Sequence, residues 1–434
     1  MVEMLPAVER PAIEETWTTT QRAAFRFAFA YLTLFLVGHF NGFLEDMPGG
    51  ARLAAGYAKL THTAVPWVGA HVLRLDTPIT VFTNGSGDTT FDWVQALCML
   101  GVAAIAALAW GIADRSRRSY DTLHQWLRVA VRYSLALSML SYGMVKVIKL
   151  QFPFPYPDRL LERFGDASPM GLLWTLMGYS RPYNVVTGAV EVAGGLLLFW
   201  KRTTPLGALL VAIGMVNVVA LNFSYDVPVK LYSMHLLLLA LFLLLPEMKR
   251  LAGVLILNRA TEPVPLRPPV KSLALHRVGM GIKAIIVVAI LGQTVTTALM
   301  ADASRGDRSP TPPLYGIYAV ESFTRDGQAI PPLLTDSTRW RRVTYSRSNI
   351  VSIHMANDAI ARFSGKNDPA AKTLELSALG TYRFTYTYAD ATHLTLSGVY
   401  MDAPVEVSLR KVPLTSFLLV GRGFHWINEF PFNR

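Results

Sequence analysis

The sequence predicts an α-helical integral membrane bundle of about seven spans followed by an all-β antiparallel barrel or sandwich. Three observations carry that prediction. Hydrophobic residues fill 52% of the 434 positions and charged residues only 16%, too apolar a balance for an ordinary soluble protein of this size. Seven segments approach the roughly 20 apolar residues that a bilayer crossing requires. Beyond residue 301 the long apolar runs stop, and alternation with a period of two takes over, as in Tyr382, Phe384, Tyr386 and Val405, Val407, Leu409.

The expected spans run over 24–43, 92–113, 128–151, 183–200, 205–223, 230–246 and 278–300. The sixth carries the run LLLLALFLLL ahead of Pro246, while the first has Arg22, Arg26 and His39 at its edges. This divides the chain into four regions: an N-terminal cytoplasmic segment with two spans (1–127), a four-helix core (128–247), a cytoplasmic linker with the last span (248–301) and an outer β domain (302–434). In the last region, turn residues separate eight or nine short candidate strands, at 314–324, 338–346, 349–355, 359–364, 371–377, 381–388, 392–399, 404–411 and 415–421.

Charge sets the expected orientation. The net +11 might point to nucleic acid, but Lys and Arg gather in short loops between apolar runs, which is a topological pattern and argues against a nucleic-acid partner. Loops on the N-terminal side carry fifteen Lys and Arg against six on the other side. The expectation is therefore a multi-pass protein of the bacterial cytoplasmic membrane, in contact with the lipid bilayer, with its N-terminus inside and residues 302–434 outside. Residues 1–20 are polar and acidic, with no secretory signal ahead of the first span, so that span is expected to stay in the mature protein. Cys98 is the sole cysteine, which rules out an internal disulfide and a thiolate metal cage within one chain.

Polar side chains recur inside the expected spans. Lys146, Glu191, Asn217 and His235 all fall about 8 to 12 Å from one membrane face, taking 1.5 Å of rise per residue. Tyr142, Lys146 and Lys149 form one helical stripe, and Asn184, Thr187 and Glu191 another. Ionisable groups in hydrocarbon normally face a bundle interior or a wet cavity, so the cluster is the expected site. Lys146, Glu191 and His235 are the candidate catalytic groups, with Lys146 and Glu191 expected to pair. Tyr142, Lys149, Asn217, Asn222, Asp226 and Lys230 are the candidate ligand contacts, although Asp226 and Lys230 are as well suited to pairing with each other across a tight turn. His39, Asn41, Glu45 and Asp46 extend the same side. Arg422, His425 and Glu429, in the aromatic C-terminal stretch, are expected either as a lid over the cluster or as part of a tail docked on the bundle. Asn84-Gly-Ser-Gly-Asp88 lacks the Lys of a phosphate loop, and no metal-ligand spacing stands out.

Several of these residues carry a resemblance. Tyr142-Gly143-x-x-Lys146, Gly188-x-x-Glu191-x-x-Gly194-Gly195-Leu-Leu-Leu, the basic turn Lys201-Arg202-Thr203, Leu206-Gly207-Ala208 and the His235 helix resemble the DoxX family of four-helix membrane proteins over 128–247. The resemblance implies a subunit of a quinone-reducing membrane oxidoreductase or a link to thiol redox defence. A more distant similarity is to the transmembrane bundle of vitamin K-dependent carboxylases, which also joins helices to an outer β domain. Leu314-Tyr-Gly-Ile-Tyr318 resembles the opening strand of lipocalin-type barrels.

Three functions follow as expectations. The first is a quinone-linked or redox-associated membrane oxidoreductase subunit, because a quinone headgroup needs hydrogen-bond donors at its carbonyls and a proton path. With no flavin fingerprint and no cysteine pair, its electrons must come from a redox partner or a diffusible donor. The second is a non-enzymatic transporter or envelope assembly protein with a small-anion or lipid site. The third is a non-redox enzyme using a Lys or His base on a lipid-like substrate.

Overall fold

The computed structural model describes residues 16–39, 50–82, 84–262 and 272–433. They fall into two compact units, each treated by itself: residues up to Gly143 with Val190–Gly281, and Met144–Ala189 with Ile282–Arg434.

The first unit is helical. Its long helices are α1 (Thr19–His39), α2 (Gly50–His71), α3 (Thr90–Ala113) and the bulk of α4 (Asp121–Val147). In chain order, α5 (Pro157–Leu161) and α6 (Pro169–Tyr179) belong to the second unit, and α7 (Arg181–Leu198) runs from one unit into the other. The first unit then continues with α8 (Thr204–Ser224), α9 (Lys230–Leu244) and α10 (Met248–Leu255), and α11 (Leu273–Arg305) leads out of it.

Among the described residues, four helices are long and apolar enough to cross a membrane: Thr90–Ala113, Thr204–Ser224, Lys230–Leu255 and Arg277–Arg305. The segments expected as first, third and fourth spans are also helical where described. They are more polar, with Arg26 in α1, Arg128, Arg132 and Lys146 in α4, and Asn184 and Glu191 in α7. Helix α2 lies between the first two expected spans. Ala and Leu at 51, 53, 54, 55, 58 and 60 favour helix, while Arg52, Lys59 and His62 keep its hydropathy below that of a span.

Small residues set the closest helix contacts. A Cβ on Gly195 would stand 3.0 Å from the carbonyl oxygen of Ala136, and one on Gly207 would stand 3.0 Å from that of Gly194. The Gly194-Gly195 pair and Gly207 therefore bring α4, α7 and α8 to backbone contact, where dispersion stands in for a hydrophobic driving force.

The second unit holds a closed antiparallel barrel of eight strands: β1 (Gly316–Arg325), β3 (Trp340–Tyr345), β4 (Ile350–Met355), β5 (Ile360–Asp368), β6 (Thr373–Ser377), β7 (Thr381–Tyr388), β8 (His393–Tyr400) and β9 (Ala403–Val412). Each strand pairs with the next, and β9 closes onto β1 from Ile317↔Val412 to Arg325↔Val405. The two-residue β2 (Gln328–Ala329) only extends the β1 hairpin. Alternate side chains fill the interior around a fully buried Trp340, whose ring lies 5.2 to 5.9 Å from those of Tyr400, Phe384 and Phe323. Eight strands leave just enough room for such a filling. The ninth strand expected at 415–421 is absent and is corrected to a 3-10 turn at Leu414–Ser416 and a helical turn at Leu418–Gly421. Closure explains this, because β1 already occupies the free edge of β9.

Thr344, Ser352 and His354 point outward from β3 and β4, opposite in phase to the interior Val343, Tyr345, Val351 and Ile353, and yet they are buried. The segment that follows α4 covers them. Asp307 accepts from Lys149 Nζ at 2.5 Å and from the Phe154 amide at 2.9 Å. Asp158 of α5 accepts from Ser352 Oγ at 2.5 Å and from the Thr344 hydroxyl, with His354 Nε2 at 3.5 Å and Arg362 Nε at 4.0 Å. Asp358 binds Arg163 at 2.5 Å and Arg341 at 2.6 Å. The segment is thus a strap fastened at three carboxylates up the outside of the barrel.

Burial opposes ionisation of Asp158, but the nearby His354 side chain and the hydrogen bonds from Ser352 and Thr344 outweigh it and hold the carboxyl below the usual carboxylate range. A depressed carboxyl pKa contributes stability that is present above the unfolded value near 4 and lost as pH falls through the folded value. Protection of the strap amides against hydrogen exchange, taken relative to the intrinsic rate at each pH, is therefore expected to fall only below about pH 4. Asp158→Ala should bring the same loss of protection at neutral pH and cost about 1 to 3 kcal/mol, since it strands two buried hydroxyls. Unchanged exchange in the variant would refute the fastening.

Candidate functional site

The helical unit contains a cavity of about 450 Å3. Five helices contribute to it: Phe35, Gly38 and His39 from α1, Tyr57, Thr61 and His62 from α2, Phe91, Asp92 and Gln95 from α3, Tyr142 from α4, and Leu231, Tyr232 and His235 from α9. The volume lies within the roughly 300 to 1,000 Å3 usual for small-molecule sites.

The start of α9 is fixed from a distance. Asp88 accepts from the Lys230 amide at 2.7 Å and from the Leu231 amide at 2.9 Å, and the Gly87 amide donates to Pro228 O at 2.8 Å. A carboxylate thereby satisfies two orphan donors at the positive end of the helix. This is the structural task of the Asn84–Asp88 loop. Lys230 Nζ pairs with Asp226 at 2.8 Å, and Asn222 Nδ2 donates to Ser233 Oγ at 3.0 Å, so Asp226, Lys230 and Asn222 brace the α8–α9 turn.

One turn into α9, His235 is bound at both ring nitrogens. Nδ1 lies 2.7 Å from Leu231 O, and Nε2 lies 2.7 Å from the Tyr31 hydroxyl. A carbonyl can only accept, so Nδ1 carries the proton and Nε2 accepts from Tyr31. The ring stacks on Phe35 with centroids 4.3 Å apart and planes 4° from parallel. His235 therefore reaches the cavity with its ring face, both nitrogens being engaged.

The polar groups of the cavity lie elsewhere on its wall. His39 Nε2 sits 3.2 Å from Ser138 Oγ, which also accepts from Tyr232 at 3.3 Å and donates to Ser134 O at 3.1 Å. At another part of the wall, Gln95 Nε2 donates to the Tyr57 hydroxyl at 3.2 Å, leaving the phenol proton of Tyr57 for an acceptor. Gly38 permits this approach, since a Cβ there would stand 2.6 Å from the Tyr57 oxygen. Asp92 is taken up in a capping box, receiving the Thr89 amide at 2.9 Å and the Thr89 hydroxyl at 2.6 Å. No Lys or Arg lines the cavity among the described residues.

Of the residues expected from the sequence, Tyr142 and His235 come together at this cavity, with rings of Tyr142 and Tyr232 5.7 Å apart. Glu191 is buried in the same unit, within electrostatic reach of Tyr142. Asn217 is exposed: the buried side of α8 runs through Ala208, Val211, Met215 and Asn222, and position 217 lies about 200° around the helix from Met215. Lys146 and Lys149 are buried and belong to the second unit, where Lys149 is bound to Asp307 and lies 5.5 Å over the Phe154 ring. Arg422, His425 and Glu429 are exposed. Asn41, Glu45 and Asp46 lie outside the described residues.

Sequence reasoning missed Tyr57, Thr61 and His62, as well as Phe91, Gln95 and Met99, although each set follows a helical stripe. Because Leu231 O takes the Nδ1 proton, 15N spectra of His235 should show an Nδ1-protonated ring whose Nε2 has the shift of a hydrogen-bonded acceptor. Tyr31→Phe should move the Nε2 resonance toward that of an unbonded nitrogen. An Nε2-protonated tautomer in the wild type would overturn the assignment.

No family model matches the chain, and no solved structure matches it. The chain is 31% identical to the uncharacterized protein YwoB of Bacillus subtilis (strain 168) over 153 residues, which cover 33% of this chain and 95% of that protein. With nearly the whole of the relative spanned at that identity, the chain belongs to the family of YwoB.

Proposed function

We propose that the helical unit is a quinone-linked, redox-associated membrane protein with a DoxX-like core, and that its cavity receives the headgroup of a lipid-borne quinone. The observation that carries this reading is the cavity wall. Flat rings at Phe35, Tyr232, Phe91 and His235 suit a planar ligand, while the Tyr57 hydroxyl, which accepts from Gln95, keeps its proton for a quinone carbonyl, and the Tyr232 oxygen beside His39, whose proton goes to Ser138, can accept from the hydroxyl of the reduced form at a second place. The absence of Lys and Arg from the described wall, with Asp92 held in its capping box, favours a neutral ligand over the small anion of the transporter reading. Cys98 being the sole cysteine, electrons come from a partner or a diffusible donor.

Mild-detergent extracts should retain a quinone identifiable by mass spectrometry. A short-chain quinone should bind the purified protein, and His39→Phe or Tyr57→Phe should each weaken it up to about tenfold, the equivalent of one hydrogen bond. Asn217→Leu, on the exposed face of α8, should leave binding unchanged. A protein that neither retains nor binds a quinone would refute this function.

The same reading places seven crossings in a bacterial inner membrane, with residues 302–434 outside, on the asymmetry of Lys and Arg. Ser337→Cys in a Cys98→Ala background should react with an impermeant thiol reagent in intact cells. Reaction only after lysis would invert the topology.

A further inference from the structure

The register of the barrel fixes which of its ends faces α11. Strand β1 begins at Gly316, with ten residues between it and the end of α11 at Arg305, and Ile317 pairs with Val412 at the end of β9. The C-terminal segment that starts at residue 413 therefore leaves the barrel from the end at which the chain enters it from α11. The β8–β9 turn at 401–402 and the β6–β7 turn at 378–380 lie at the opposite end.

This segment is aromatic and uncovered. Phe424 is 76% exposed, Trp426 91%, Ile427 77% and Phe430 82%. It is nonetheless folded on itself. Arg422 donates to Asn428 Oδ1 at 2.7 Å and sits 4.0 Å over the Phe432 ring, and Asn428 donates to the His425 carbonyl at 3.3 Å. Four large apolar side chains within seven positions, beside a cation stacked on an aromatic ring, have the composition of an interfacial belt. Trp and Phe at the headgroup level bury their rings while their polar neighbours stay wet.

We infer that residues 413–433 are an interfacial anchor, seating the α11-facing end of the barrel on the bilayer that α11 crosses. The inference rests on α11 being a membrane span and is independent of the quinone reading.

The full-length protein with Cys98→Ala, carrying a single Trp426→Cys or Phe430→Cys labelled with an environment-sensitive fluorophore, tests this in vesicles of anionic phospholipid with and without brominated acyl chains. Val288→Cys in α11 and Leu379→Cys at the far end of the barrel serve as references. The label at 426 or 430 should lose emission in brominated lipid, as the label at 288 does, while the label at 379 should not. Loss at 288 without loss at 426 and 430 would overturn the anchor and leave the span intact. No loss at 288 would overturn the span and the anchor with it. Labels at 426 and 430 shielded from both brominated lipid and aqueous iodide would mean that protein, from a second copy or a partner, covers the segment, which also overturns the anchor.

Discussion

The hydrogen bond between Tyr31 and His235 is the interaction on which the candidate site depends. It joins α1 to α9 at 2.7 Å, and it consumes the last lone pair of an imidazole whose other nitrogen is already committed to Leu231 O. In an apolar bundle an unpaired ring nitrogen is costly, so the two helices gain from staying in register at this point. That register places Phe35, one turn beyond Tyr31, flat against the imidazole, and brings His39 and Tyr232 to the common partner Ser138. The cavity wall is a consequence of satisfying one buried histidine. Its hydrogen-bonding capacity then sits at His39, Tyr232 and Tyr57 and not at His235.

Carboxylates organise the rest of both units in a related way. Asp88 takes the first amides of α9, Asp307 takes the Phe154 amide together with Lys149, and Asp158 takes two barrel hydroxyls. In each case an ionised side chain from one segment meets donors of another that would otherwise be buried unpaired. These contacts hold turns and the strap in place. They also account for several acids and lysines that composition alone would assign to a reaction centre, since a charge inside an apolar protein marks structure as readily as function.

Much of the fold was legible in the sequence. Hydrophobic runs and period-two alternation each depend on which residues a local element must hide, so the seven helical segments and eight of the nine strands fall where composition places them. Helix α2 was less legible, because Arg52, Lys59 and His62 interrupt the apolar pattern of an otherwise good helix former. The ninth strand failed for a non-local reason: whether an apolar stretch such as 415–421 finds a strand partner depends on whether β9 has a free edge.

For the site, the sequence by itself determined the kinds of residue present and their depth along each helix, since both follow from helical rise and the length of an apolar run. It identified His235 and Tyr142, and it raised His39. What it could not determine was facing. Asn217 shares the depth of His235 but points away, and Asn222, five residues on, turns inward to Ser233. Which tautomer His235 adopts, that Tyr57 and Gln95 join the same wall, and that Lys149 is bound to Asp307 were decided by the tertiary structure alone. Those facts depend on contacts between segments up to 204 residues apart, and no local spacing encodes which side chains meet across that distance.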